Sequence, residues 1–144
     1  MQKDLFNPYL EAKKQGIKVK FLDFKKLNSF LTNSVIYLRI NMNKIEKRYC
    51  LTYELVHLSR NHSDFCEGHS IEEEEIIREE TAKKLIQGTS FSILIESSYS
   101  LDKIAKELQI TKDVIYDYFK YCRKNSSNTT KPLKEKSPAV ICKV

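Results

Sequence analysis

The spacing of apolar and polar residues changes period along the chain. Residues 4–15 put Leu5, Tyr9 and Ala12 near one helical face, and Gly16 offers a stop, so a helix is predicted there. The next stretch, GIKVKFLDF, alternates Ile17, Val19 and Phe21 with Lys18 and Lys20, the period of a half-buried strand. A turn-rich patch around Asn28, Thr32 and Asn33 leads into SVIYLRI. There Val35, Tyr37 and Arg39 alternate with Ile36, Leu38 and Ile40, a second and stronger strand. A short third strand near Ser29–Leu31 would complete a small antiparallel sheet.

After Asn43 the period becomes helical. Ile45, Tyr49, Thr52, Val56 and Ser59 step by three and four, with Cys50, Tyr53 and His57 in an adjacent line. This predicts a helix of about four turns, buried over much of its circumference. Residues 61–70, with Gly68 among them, are expected to form a loop. Ser70 then suits an N-cap, with Glu73 as its capping-box partner, and the acidic run Glu72 to Glu75 suits a helix N-terminus. That helix should stop near Gln87, before Gly88. Shorter helices are expected over 89–97, 100–108 and 111–123. The pattern describes an α+β fold: a small N-terminal antiparallel sheet, a helical core against it, and a C-terminal helical hairpin.

Composition narrows the class. The chain has 144 residues, 41% hydrophobic and 31% charged, as for a soluble domain. It has neither an apolar run long enough to span a membrane nor a signal-like N-terminus. Cys50, Cys66, Cys122 and Cys142 show no CxxC pairing and suit reduced thiols in the cytoplasm. Net charge is +6, yet six Lys/Arg against one Glu lie from Arg123 onward, leaving residues 1–122 nearly neutral. Residues 1–123 are therefore read as one domain. Residues 124–144 are read as a basic, flexible tail, disordered from Asn125 to about Lys136.

The segment Tyr53-Glu54-Leu55-Val56-His57 is an HExxH helix motif with its first His replaced. In that motif two His at i and i+4 reach one zinc ion, and the Glu beside the first serves a metal-bound water as base. Glu54 and His57 stand in the motif's positions, and Tyr53 occupies the place of the missing His.

The order of the remaining segments adds weight. A helix, the GIKV strand, the IYLRIN strand, the helix LTYELVHL, an acidic helix ending ETAKKLI and the pair SLDKIAKELQITKDVIYDYFKY follow one another. Over roughly residues 5–122 this resembles the ImmA/IrrE family of metallopeptidases, often encoded by phages and mobile elements. The departures are Tyr53 at the first metal position and Ile77 at a usual small Ala. The resemblance implies a zincin-like core and a bound Zn²⁺ ion, with His57, Glu74 and Tyr53 as the ligands available and Glu54 as the catalytic base. It also implies a protein substrate, a transcriptional repressor in the family.

The family takes its third ligand from a carboxylate on the second helix. With Glu74 set at zero on a wheel of about 100° per residue, Ile77, Thr81, Leu85 and Ala82 fall within about 80° of it. Glu73 and Glu75 lie about 100° to either side. Glu74 is therefore the inward carboxylate, and burying it requires a partner, either a metal or His57.

Replacing a ligand is costly. A structural zinc site is worth roughly 10–16 kcal/mol, so one ligand of four is worth about 3–4 kcal/mol, a factor of roughly 100–1,000 in binding. Tyr53 as phenolate must come down from a pKa near 10. His62 or His69 in the intervening loop would be substitute donors. Two other functions compete with the zinc endopeptidase: an inactive pseudo-peptidase that binds a protein partner, and a helix-turn-helix DNA-binding regulator. For the last, Ile104, Ala105, Leu108, Ile110, Ile115 and Tyr118 fall where two such helices pack. Gln109 stands at the usual turn Gly, and Asp113 and Asp117, expected to be exposed on the reading helix, oppose nucleic acid.

Overall fold

Proline can open a helix but not continue through one, and Pro8 sets where the first helix begins. In the computed structural model, which describes residues 5–32, 34–60 and 70–129 (backbone only for 126–129), α1 runs over Pro8–Lys14. Asn7 caps it by accepting from the Tyr9 and Leu10 amides. The helix is thus shorter than the spacing predicts, and Tyr9 lies exposed while Ala12 is buried. Gly16 closes the turn with φ at 74°.

Three strands follow: β1 (Lys18–Leu22), β2 (Ser29–Thr32) and β3 (Val35–Arg39), in the order β1-β3-β2. β2 and β3 form an antiparallel hairpin in which Thr32 faces Val35. β1 pairs with β3 in parallel, Lys18 opposite Val35. The sheet is therefore mixed, correcting the antiparallel expectation. The chain leaves β1, crosses to the far side of β3 to lay down β2, and only then turns back, so β3 returns in the direction of β1. β3 occupies the centre because it is the most apolar strand, with Ile36 and Leu38 fully buried. β1 is an edge. Its Phe21, expected inward, is 39% exposed, and Lys47 Nζ sits 5.1 Å from the ring centroid.

The other five helices in the described residues build the rest of the core. α2 (Lys44–Ser59) starts from a full capping box between Asn43 and Glu46 and lies against β2 and β3. α3 (Ile71–Ile86) has the expected Ser70–Glu73 capping box and ends at Gln87. Ile77, Thr81, Ala82 and Leu85 are buried as the wheel places them. A second buried stripe, Glu79 and Ile86, was not foreseen. It arises because α3 is packed between α2 on one side and α6 (Lys112–Thr129) on the other.

α4 (Phe91–Glu96) and α5 (Leu101–Leu108) complete the chain's order, and α5 pairs with α6 as the predicted hairpin. Ile104, Ala105, Leu108, Ile110 and Ile115 share one buried cluster, and Tyr118 packs on it. Gln109 ends α5 in the left-handed region, φ 59°, where glycine is favoured. Arg48 of α2 holds that turn, donating to the carbonyls of Leu108 and Gln109, and also to Phe6.

Two expectations for α6 are corrected. It continues past Arg123 to Thr129, so residues 125–129 are helical. No Gly or Pro interrupts this stretch, and Lys124 ties it to α3 through Glu79 at 3.0 Å. Asp117 is not exposed: it is 8% accessible, because α6 turns that face toward α3 and Arg78. Residues 130–144, and with them most of the tail, lie outside the described residues. Among those described, Cys50 and Cys122 are not joined in a disulfide, and no helix is long and apolar enough to cross a membrane.

Candidate functional site

The site lies where α2 meets α3. The first two helical turns of α3 bring Glu74 opposite the middle of α2, and the i, i+4 spacing stacks Tyr53 and His57 on one α2 face. The Tyr53 hydroxyl donates to Glu74 Oε1 at 2.6 Å. The Tyr53 and His57 rings lie with centroids 5.2 Å apart, and Tyr49, one turn earlier, extends the aromatic row at 6.2 Å. Tyr53 therefore touches both the Glu74 carboxylate and the His57 ring. His57 is buried at 5% accessibility.

This arrangement fixes the state of the phenol. Burial is the main cause that raises the Tyr53 pKa, and the hydrogen bond to Glu74 and its negative charge add to it. The phenol is neutral at physiological pH, and its proton is committed to Glu74. The inward carboxylate that needed a partner has one.

Glu54 points to a different neighbour. It is 7% accessible, and its Oε2 accepts from the Ser29 hydroxyl of β2 at 2.7 Å. Burial raises its pKa, the Ser29 bond pulls the other way, and the charge of Glu74 raises it further. Ser29 was missed in the sequence. The signal was there: Ser29 and Leu31 share the strand face that meets α2, and a polar residue on that face calls for a buried polar partner.

Among the described residues, the donors that meet here fall short of a zinc centre. Among the described residues no three His, Cys, Asp or Glu side chains come together as a metal-holding group. His57 and Glu74 are ordinary zinc donors, but a neutral phenol that donates its proton to one of them is not a third. His62 and His69, the substitute donors, lie outside the described residues.

No family model matches the chain, and no curated protein or solved structure matches it.

Proposed function

We propose that this chain is a peptidase-like domain of the ImmA/IrrE kind that binds a protein partner without cutting it. The observation that carries this reading is the 2.6 Å hydrogen bond from Tyr53 to Glu74. It joins the helix bearing the YELVH motif to the helix bearing the inward carboxylate, as a shared metal ligand set would. Tyr53 touches both Glu74 and the His57 ring, and this contact supports the reading. The partner by this resemblance is a transcriptional repressor. β2 supports a peptide partner: it is an outer strand, and an extended segment running along it would pass Ser29 and Glu54.

A zinc endopeptidase with a changed ligand set is the second reading. Glu54 favours it, because a buried carboxylate with raised proton affinity suits a general base. Metal content separates the two. Protein purified without chelator should carry no stoichiometric zinc, and Tyr53→His should gain it by completing the i, i+4 pair with His57. About one zinc per wild-type chain would overturn the binding reading.

A further inference from the structure

The helices that pack on the sheet are α1 and α2, and their Ala12, Leu51 and Leu55 share one buried cluster with Leu31, Ile36 and Leu38. Side chains alternate along a strand, so the residues between these face the other way. They include Lys18 and Lys20 on β1, Tyr37 and Arg39 on β3 and Phe30 on β2, and none of these five is buried. Three aromatic rings form a row there. Phe30 lies opposite Tyr37 in the hairpin register, and the two rings are stacked, with centroids 4.9 Å apart and planes at 26°. Phe24, from the β1–β2 connection, continues the row with its centroid 5.3 Å from that of Phe30. On the other side, Lys20 lies opposite Tyr37 in the pairing of β1 with β3.

The charge on this face has one sign. The three strands contain no Asp or Glu. Residues 16–42 hold five Lys/Arg against one Asp, a net +4, whereas residues 1–122 together carry only +1. The cations of the folded part are thus concentrated on the sheet, and the rest of it is net acidic. Among the described residues no salt bridge involves Lys18, Lys20 or Arg39. Arg39 donates to Asn28 Oδ1 at 2.7 Å, and its Nε is a donor with no acceptor among the described residues. Cross-strand stacking by itself accounts for Phe30 beside Tyr37. It accounts neither for a third ring brought in from a loop nor for a surround of unpaired cations.

We propose that this sheet face binds single-stranded nucleic acid, with bases continuing the row of Phe24, Phe30 and Tyr37 and phosphates meeting Lys18, Lys20 and Arg39. Every base has a flat π face, so aromatic side chains take up a strand whatever its sequence, and a sheet of this kind stacks two or three bases. Cations beside the row supply the phosphate contacts. A duplex fits poorly, because its bases are already stacked on one another and a flat sheet face enters neither groove. An acidic peptide would satisfy the cations and leave the rings uncovered. A bilayer surface calls for projecting apolar side chains, whereas Phe30 and Tyr37 lie half-buried against each other. The surface is on the far side of the sheet from Ser29 and Glu54, and the inference does not depend on the protein-binding reading.

The test is fluorescence anisotropy of the full chain with a labelled deoxythymidine strand of about 15 nucleotides, repeated over a range of salt. The strand should bind with a Kd on the order of 1–100 μM at low salt. Tyr37→Leu keeps an apolar side chain on the face and should weaken binding about tenfold. The double variant Lys18→Ser, Lys20→Ser changes two exposed residues and should reduce the salt slope by about 1.4. An abasic strand of the same length should bind about tenfold more weakly than deoxythymidine and be indifferent to Tyr37→Leu. The basic segment from Arg123 onward meets the same phosphates in both strands, so it cannot produce that difference. Should Tyr37→Leu fail to fold, the lysine variant and the abasic strand decide the matter. Absence of binding, equal binding of the thymidine and abasic strands, or a duplex held as tightly as the single strand would overturn the proposal. So would full binding by the folded variants, or displacement of the strand by phosphatidylserine vesicles at equal phosphate.

Discussion

Replacing Tyr53 by Phe removes one oxygen and tests the bond on which the site is built. The ring and its contact with His57 remain, and the donor to Glu74 is lost. A hydrogen bond to a charged acceptor is worth about 1.5–3 kcal/mol, and partial exposure of both partners places this one near the lower half. A loss of about 2 kcal/mol is expected, which for a chain of this size lowers Tm by roughly 4–8 °C. Urea melts followed by far-UV circular dichroism measure it. The single variant also changes solvation, so the bond is isolated by a cycle with Glu74→Gln. The double variant should lose about 1–2 kcal/mol less than the sum of the single losses. A Tyr53→Phe protein as stable as wild type, with coupling near zero, would refute the idea that this pair joins α2 to α3.

Other outcomes follow from the same structure. Glu54 holds its proton to higher pH when folded than when unfolded, so its contribution falls as pH rises above the ordinary carboxyl value of 4.5. Glu54→Gln should therefore be at least as stable as wild type at pH 7 and show a flatter stability profile between about pH 4.5 and 7, read by urea melts across that range. Arg48→Met removes the donor to the turn carbonyls of Leu108 and Gln109 and should cost about 2–4 kcal/mol, with faster amide exchange at the α5–α6 turn. Gln109→Gly relieves a left-handed residue and should stabilise the chain by about 0.5–1 kcal/mol in thermal melts; destabilisation would mean that the Gln side chain matters there.

The helices were legible because one face of each is apolar at a fixed period, and because caps mark their starts. Ser70 with Glu73, Gly88 and Ser100 are all where local chemistry puts an end. Strand positions were legible for the same reason, and strand direction was not. Alternation is the same in parallel and antiparallel pairs, so only the path of the chain from β1 past β3 decides it. The second buried stripe of α3 escaped for a related reason. A helix packed on two sides has no clean polar face, and Glu79 looks like a surface residue until Lys124 of α6 is placed beside it. The same juxtaposition explains Asp117, whose burial comes from α3 and not from its own helix.

The site was half legible, and the halves differ in kind. That Tyr53 would lie beside His57 and face Glu74 follows from two helical periods and needs no knowledge of what holds them. What holds them depends on an interaction across 21 residues, between a phenol and a carboxylate on different helices. Histidine at position 53 would offer a lone pair, and such a site closes around a cation. Tyrosine offers a proton, and the site closes on itself, with Glu74 as acceptor. Both solve the same problem, an inward carboxylate that must not be left alone. In the proposed reading the substitution therefore preserves the junction of α2 with α3 while releasing it from metal. In the same reading Glu54 is left without the role that the ImmA/IrrE resemblance implies for it. It is secured instead by Ser29, so the carboxylate links α2 to the outer strand β2, the strand along which a partner segment is proposed to lie.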